Sequence, residues 1–319
     1  MTIAHLPGCS RPTTALGFGC SALSAGSSRR HSIMLVHKAN DAGIMHFDVA
    51  PPYGMGTAED VLGEALKGRR HNVTVATKVG ISRPRHPQVV MFVRSLASPV
   101  RKLVPKLTRR FGASAYAGLT ARGRFDARFV EASVMDSLRR LRTEYVDLLL
   151  LHEVTLDQLT DELLFLLETL RRKGVTRALG TGTSYENTLA IRAQHSTFFD
   201  VWQHSWSVFN VEQQPVDFTI THRAIQGALA PLREWFHQDA ARIRRWSDAV
   251  GVDLAVGDNL GDLIIGAAMA GNPGGITLVS SRRKSRVEAN ARLMSDLSFV
   301  NAGQQFMRVL AAERDLVRS

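Results

Sequence analysis

The sequence lacks the features of a secreted, membrane-spanning or disulfide-stabilised protein. Its 319 residues contain two cysteines, Cys9 and Cys20, which are too few for a disulfide framework and are typical of a reducing compartment. No run approaches the ~18 consecutive apolar residues of a membrane-spanning helix. The first residues, MTIAHLPGCS, lack the basic start and apolar core of a secretory signal. We therefore expect a cytoplasmic protein.

Acidic residues are missing from one long segment, and that segment carries almost all of the excess charge. Forty Lys and Arg against 29 Asp and Glu give a formal net charge of +11. Residues 83–124 hold ten of these cations and no Asp or Glu, which leaves +1 for the rest of the chain. A nearly neutral body and a segment poor in aromatic residues argue against nucleic acid as a partner.

Outside this segment, short apolar runs alternate with longer amphipathic stretches. Eight runs rich in Val, Ile, Leu and Phe predict strands at residues 15–20, 44–49, 73–79, 146–152, 178–182, 201–206, 217–222 and 276–280. Apolar spacing and end signals predict helices at 32–42, 57–67, 127–141, 159–173 and 285–294, the second capped by Thr57. Strands and helices in this alternation predict an α/β fold, a (β/α)8 TIM barrel formed by residues 1–319 as one domain.

An open, doubly wound sheet is the competing fold. Its support is the stretch from Gly17 to Ala22, GFGCSA, which matches the loose dinucleotide-binding pattern GxGxxA. The pattern requires a helix directly after the strand, whereas residues 21–29 have the composition of a loop. The barrel is therefore the favoured interpretation.

Four polar residues fall at or beyond the carboxyl ends of predicted strands two to four. Asp48 ends the second strand and Tyr53 follows it in HFDVAPPYG, Lys78 ends the third in VTVATKVG, and His152 ends the fourth in VDLLLLHE. Strand ends of this kind meet at the active face of a barrel. Each residue alone has an ordinary structural explanation, but four together at one mouth indicate chemistry.

These four side chains together form a proton donor and its supporting groups. Tyr53 has a hydroxyl whose ordinary pKa of ~10 makes it a weak acid at neutral pH. A neighbouring Lys78 ammonium is expected to lower that pKa, and Asp48 to pair with Lys78. His152 can donate a hydrogen bond to a carbonyl oxygen that gains negative charge.

The same segments resemble the aldo-keto reductases along nearly the whole chain. DVAPPYGMGTAEDVLGEAL is similar to the family signature, ATKVG and LLLLHE to its Lys and His strands, and LPGCSRPTTALGFG to its N-terminal hairpin and first strand. The resemblance implies a (β/α)8 barrel with an N-terminal β-hairpin and hydride transfer between NADP(H), or NAD(H), and a carbonyl or alcohol. It also implies that Tyr53 is the general acid/base, supported by Asp48, Lys78 and His152, and that no metal takes part.

Cofactor contacts carry over from the resemblance in the same way. Gln203 would hold the nicotinamide carboxamide, with Thr183 or Ser184 in place of the usual Ser-Asn pair, and His222 would replace the usual stacking aromatic. At the adenosine end Ser280 replaces a common Lys. Contacts are expected from Ser281, Arg282, Arg286 and Asn290. The cations from Arg282 to Arg286 favour NADP(H) over NAD(H), since the 2′-phosphate is anionic.

The basic insertion at 83–124 lies after the third strand, on the side of the predicted active site. It is interpreted as a solvated excursion or mobile lid, as a lid that attracts an anionic substrate, or as a surface that docks to an acidic membrane or acidic partner. The altered nicotinamide contacts leave a second function open, a cofactor-binding regulatory or scaffold protein with little catalytic activity. The sequence makes no prediction of substrate identity or oligomeric state.

Deleting residues 83–124 should remove almost all of the excess charge. If the insertion is a lid for anionic substrates, the truncated protein should lose kcat/KM for an anionic carbonyl compound more than for a neutral one, because Coulombic attraction is lost. Steady-state kinetics with both substrates at low salt measures this. Unchanged kinetics toward both compounds would contradict the substrate-lid interpretation.

Overall fold

A computed structural model describes residues 1–23, 28–84, 123–210 and 217–313 of the chain. Most of the basic insertion, residues 85–122, lies outside the described residues, so the predictions about it stay predictions.

Eight parallel strands close into a barrel. The strands are β3 to β10, and the barrel order follows the chain order, with β10 pairing back onto β3. Their bounds are Leu16–Gly19, His46–Asp48, Thr74–Val79, Val146–His152, Thr176–Gly182, Val201–Ser205, Phe218–His222 and Ile276–Val279. All eight predicted strands are confirmed, each end within two residues of its prediction.

A two-stranded antiparallel hairpin precedes the barrel. Its strands are β1, Ile3–Ala4, and β2, Thr13–Thr14. Ala4 and Leu6 are buried against apolar side chains inside the barrel, including Leu148 and Ile220. The predicted hairpin is therefore present, and it supplies apolar contacts to the amino-terminal end of the barrel.

The doubly wound alternative is wrong, and the pattern that suggested it has a packing role. Gly17 lies inside β3, between β10 and β4. A Cβ at this position would come within 2.7 Å of the Leu278 side chain and 2.8 Å of the His46 ring. A residue without a side chain is required at position 17 because the barrel interior is narrow there. After β3 the chain forms a short 3-10 turn at Cys20–Ala22 and not a phosphate-binding helix.

Helices follow the strands and surround the barrel. In the described residues they are α1 to α11, with bounds Arg29–Asp41, Tyr53–Gly56, Ala58–Ala65, Ala127–Leu141, Asp161–Arg172, Tyr185–His195, Leu229–His237, Ala240–Val250, Asn259–Ala270, Lys284–Arg292 and Leu297–Ala312. The five predicted helices correspond to α1, α3, α4, α5 and α10. Further 3-10 turns lie at Arg70–Asn72 and Leu156–Gln158.

Thr57 occupies the predicted N-cap position of α3 but does not make the expected capping hydrogen bond. Thr57 precedes α3, but its side chain accepts no hydrogen bond from the helix. Its hydroxyl instead donates to the Gly54 carbonyl oxygen, 2.8 Å away. The Thr57 hydroxyl therefore stabilises the preceding turn α2.

Helices α9 and α11 approach each other closely through two glycines. A Cβ on Gly266 of α9 would overlap the Phe299 carbonyl oxygen, and a Cβ on Gly303 of α11 would overlap the backbone of Ala267. These contacts let the two helices pack closely, and Phe306 of α11 lies in an apolar cluster outside the barrel. Close packing of this kind leaves no room for an added methyl group.

Neither a membrane span nor a metal cluster occurs among the described residues. In those ranges no helix has both the length and the apolar character needed to cross a membrane. The same ranges contain no group of three or more His, Cys, Asp or Glu side chains placed to hold a metal ion. Cys9 and Cys20 are both free thiols.

Gly266→Ala should destabilise the protein, whereas Gly261→Ala on the same helix should not. Both substitutions improve helix propensity, but only Gly266 faces a backbone, so overpacking should lower its free energy of unfolding by about 1–3 kcal/mol. A Cβ on Gly261 meets nothing within 4 Å, and the free energy of unfolding should rise by up to about 1 kcal/mol. Urea unfolding followed by circular dichroism measures both; equal stabilities would contradict the close-contact argument.

Candidate active site

The carboxyl ends of β4, β5 and β6 bring three of the expected side chains to one mouth. Asp48 is the last residue of β4, Lys78 the penultimate residue of β5 and His152 the last residue of β6. Asp48 and Lys78 are almost completely buried, with 2% and 1% of their surface exposed. Because parallel neighbours align these ends, residues far apart in the sequence become neighbours here.

A buried network joins Asp48, Lys78 and Gln203. The Lys78 ammonium donates to Asp48 Oδ2 and to Gln203 Oε1, each at 2.5 Å. Gln203 Nε2 donates to the same Asp48 oxygen at 2.8 Å. Every pair in this triangle is hydrogen-bonded, which is the condition for burying a charged pair at tolerable cost.

The network fixes the charge states of its members. Burial alone would raise the pKa of Asp48, but the charge of Lys78 and the hydrogen bonds from Lys78 and Gln203 outweigh burial and hold that pKa below its ordinary value. Burial lowers the pKa of Lys78, and Asp48 opposes this. Asp48 is therefore the carboxylate partner that the Lys78 ammonium requires.

Tyr53 is presented by a tight turn between β4 and α3. Within α2, Gly54 and Met55 have φ values of 59° and 60°, the left-handed conformation. A Cβ on Gly54 would also overlap the Leu23 carbonyl oxygen, so glycine is required here for two reasons. The Tyr53 ring meets the His152 ring edge to face, with centroids 6.0 Å apart and planes at 88°.

Arg83, paired with Glu59, stabilises this turn by hydrogen bonds to its backbone. Arg83 donates to the Gly56 carbonyl oxygen and, at 3.4 Å, to that of Pro51, on either side of Tyr53. Its guanidinium also lies 2.5 Å from the carboxylate of Glu59, which is completely buried and accepts from Thr77 at 2.7 Å. The first residue of the predicted insertion thus belongs structurally to the turn that carries Tyr53.

The pKa of Tyr53 moves in the opposite direction to the sequence-based expectation. Burial raises it well above 10, and the negative charge of Asp48 raises it further. The expected net lowering does not occur, because the Lys78 ammonium is paired with Asp48 and burial dominates the shift. Tyr53 is therefore firmly protonated at neutral pH.

A cleft of about 1000 Å³ opens over these residues and runs across the barrel mouth to α10. Of the expected site residues, all but Lys78 and Arg282 line it. Lys78 lies beneath the floor, bonded to Asp48 and Gln203. Arg282 is exposed, and its neighbour Arg283 lines the cleft instead.

The residues expected to hold the nicotinamide are gathered beside Asp48. Thr183 is buried, and its hydroxyl accepts from Asn187 at 3.3 Å. Ser184 is exposed, and its hydroxyl caps α6 by accepting a hydrogen bond from the backbone N–H of Asn187 at 3.2 Å. His222 ends β9, and burial, followed by the charge of Lys78, lowers its pKa to about 3, so its ring is neutral at physiological pH.

The residues expected at the adenosine end are gathered at α10. Ser280 is exposed and Ser281 partly so. Arg286 is not free: it contacts the carboxylates of Asp262 and Asp258, the latter at 3.5 Å, and donates to Asn290 Oδ1 at 2.9 Å.

Several residues that line the cleft or contact its lining escaped the sequence analysis. Asn187, Arg223 and Asp258 line the cleft, and Asp262 contacts the lining residue Arg286. The Arg83–Glu59 pair, which supports the Tyr53 turn from outside the lining, was also not identified. Arg223 directly follows β9 in the left-handed conformation, φ 64°, and its place after a strand was a usable signal. Asp262 had none, because its partner is 24 residues away on another helix.

Comparison with known proteins agrees with this geometry. A model of the Aldo/keto reductase family matches residues 15–222. The chain belongs to the aldo/keto reductase family. Membership confirms the expected enzyme class, an NAD(P)(H)-dependent oxidoreductase that acts on small carbonyl or alcohol compounds.

Individual relatives of this reductase are distant. An uncharacterized oxidoreductase of Bacillus subtilis, YqkF, is 23% identical over 305 residues, covering 88% of this chain and 89% of that protein. D-threo-aldose 1-dehydrogenase of a Pseudomonas species is 30% identical, but over only 55% of this chain and 51% of its own length. An aldo-keto reductase of Klebsiella pneumoniae, solved in complex with NADPH, shares the fold at TM-score 0.63 and 19% identity, covering 93% and 91% of the chains.

Lys78→Met should destabilise this reductase by about 3–5 kcal/mol, because it leaves a buried Asp48 carboxylate without its counter-charge. Urea unfolding at pH 7 measures the change. Adding Asp48→Asn to Lys78→Met should restore much of the loss, because a neutral amide is cheaper to bury than a carboxylate. A single variant as stable as the wild type would show that the pair is not a constraint on the fold.

Proposed function

We propose that this reductase is an NADP(H)-dependent enzyme that interconverts an aldehyde, ketone or sugar-like carbonyl with its alcohol, and that Tyr53 exchanges the proton. The observation that carries the proposal is the Tyr53–His152 pair above the buried Asp48–Lys78–Gln203 network. It lies at one end of a cleft whose other end is basic. Sugar-like substrates are supported by the aldose dehydrogenase among the relatives.

The residues at the two ends of the cleft fit a nicotinamide dinucleotide. Gln203 Nε2 has a second hydrogen beyond the one given to Asp48, and Thr183 has a hydroxyl, so both can meet a carboxamide. The neutral His222 ring lines the same end and offers a surface for stacking. At the other end, the N-cap residue of α10, Arg283, makes no capping hydrogen bond with its side chain and lines the cleft. Uncapped amides and cations together suit a phosphate.

The chain's own contribution to the reaction is the proton. Bound NADP(H) supplies or accepts the hydride. Tyr53 holds its proton at neutral pH because burial and Asp48 raise its pKa. A carbonyl oxygen that is gaining negative charge becomes a stronger base than a phenolate, so Tyr53 donates to it at that stage.

The network and His152 assist this transfer in different ways. His152 lines the cleft beside Tyr53 and can donate a hydrogen bond to the same oxygen. Lys78 balances Asp48, which prevents an unpaired carboxylate from raising the pKa of Tyr53 further. Gln203 fixes the positions of both charged groups by a hydrogen bond to each.

Tyr53→Phe should reduce kcat for a test aldehyde by about 10²–10⁴-fold, the usual contribution of a general acid. The dissociation constant for NADPH should be unchanged, because the hydroxyl serves the substrate oxygen. Stopped-flow or steady-state oxidation of NADPH and fluorescence titration measure the two quantities.

The matched control is Tyr145→Phe. Tyr145 precedes β6, at the opposite end of the barrel, where its ring lies between Arg70 and Arg177 at 4.3 and 4.4 Å. This variant should retain full activity. Retained activity in Tyr53→Phe would contradict the assignment of the proton donor. A wild-type protein that binds NADPH but turns over no aldehyde or sugar in a broad panel would instead favour the regulatory or scaffold function.

A further inference from the structure

At the adenosine end of the cleft, one cation, Arg286, is already ion-paired with carboxylates. Arg286 has 13% of its side chain exposed and contacts Asp262, which is 15% exposed, on α9. Its guanidinium also lies 3.5 Å from Asp258, which is 59% exposed, and 2.9 Å from Asn290 Oδ1. Arg286 therefore lines the cleft with its guanidinium already paired, to Asp258 at the cleft surface and to Asp262 behind it.

We propose that Asp262 is a cofactor-specificity residue, which holds Arg286 away from a 2′-phosphate and so allows NAD(H) to be used beside NADP(H). This inference rests on the proposed function, because it concerns the same dinucleotide cleft. Asp262 itself is not among the groups that line the cleft, so it acts on the cofactor mainly through Arg286.

The two cofactors differ by one group, and the two charges of this site respond to it in opposite ways. A 2′-phosphate carries about −1.5 to −2 charges near neutral pH and gains from arginine but is repelled by carboxylates. A free 2′-hydroxyl donates to a carboxylate, which is how acidic residues favour NAD(H) in dinucleotide sites. With Arg286 paired to Asp262, the gain from the arginine is reduced and the repulsion is added.

The remaining cations at this end explain why NADP(H) is still accepted. Arg282, Arg283 and Lys284 are exposed, and none of them forms an ion pair within the described part of the chain. Exposed cations give a modest, salt-screened attraction. The exposed cations thus attract any phosphate, whereas the specific contact of Arg286 with a 2′-phosphate is weakened.

Asp262→Asn tests the proposal, with Asp258→Asn as the matched control. The first variant removes the charge in closest contact with Arg286, and the second removes the more exposed charge at longer range. Dissociation constants for NADPH and NADH are measured by fluorescence titration, together with kcat/KM for each. Thermal melting verifies that both variants are folded.

Asp262→Asn should raise the preference for NADPH over NADH by about tenfold in dissociation constants and in kcat/KM. Asp258→Asn should change it by about twofold, as expected for an exposed ion pair. A change below about threefold in Asp262→Asn, or equal changes in both variants, would overturn the proposal.

A measurement on the wild-type protein keeps the test independent of variant folding and of turnover. We expect 2′-phospho-ADP-ribose and ADP-ribose, which lack the nicotinamide, to bind with dissociation constants within about tenfold of each other. Binding of the phosphorylated compound about 100-fold more tightly would overturn the proposal. Failure of the wild type to bind either dinucleotide would overturn the proposed function and this inference together. Normal binding with an unchanged preference in Asp262→Asn overturns the inference alone.

Discussion

The buried contact between Asp48 and Lys78 is the constraint on which the rest of the mouth depends. A carboxylate and an ammonium with 2% and 1% exposure are stable inside a barrel only if they pair and their remaining hydrogen-bonding capacity is used. Gln203 supplies the additional hydrogen bonds from the opposite side of the barrel. These hydrogen bonds therefore link β4, β5 and β8. They fix the base of the cleft below Tyr53 and His152.

The geometry above that floor gives Tyr53 a different character from the one that chemistry alone suggests. A lysine on the next strand of the sequence pattern suggests a lowered pKa for the Tyr53 phenol. In the folded chain the ammonium is neutralised by Asp48, and burial raises the pKa of Tyr53. Tyr53 is thus a protonated phenol that can donate its proton, and not a phenolate. Positioning is then decisive, and the Arg83–Glu59 pair provides it by bonding the turn on both sides of Tyr53.

The far end of the cleft follows a different physical rule. There the charges are partly exposed, solvent competes with each ion pair, and several weak attractions act together. Arg286 is the exception, because it is largely buried with Asp262 and bonded to Asn290. Under the proposed function, affinity for a phosphate and discrimination between phosphate and hydroxyl are therefore carried by different residues.

Local patterns in the sequence determined the eight strands and the strand-end positions of Asp48, Lys78 and His152, because periodicity and strand ends are properties of short segments. The partnership of Asp48 with Lys78 was predictable for the same reason, since adjacent parallel strands align their ends. The hairpin was expected only from the resemblance to the aldo-keto reductases. The tertiary structure alone decided that Thr57 bonds the preceding turn, that Arg83 supports the Tyr53 turn and that Asp262 occupies Arg286. The Arg83 and Asp262 contacts join segments that are far apart in the sequence, so they depend on packing. Thr57 bonds the nearby Gly54, and the backbone conformation of the turn decides that contact.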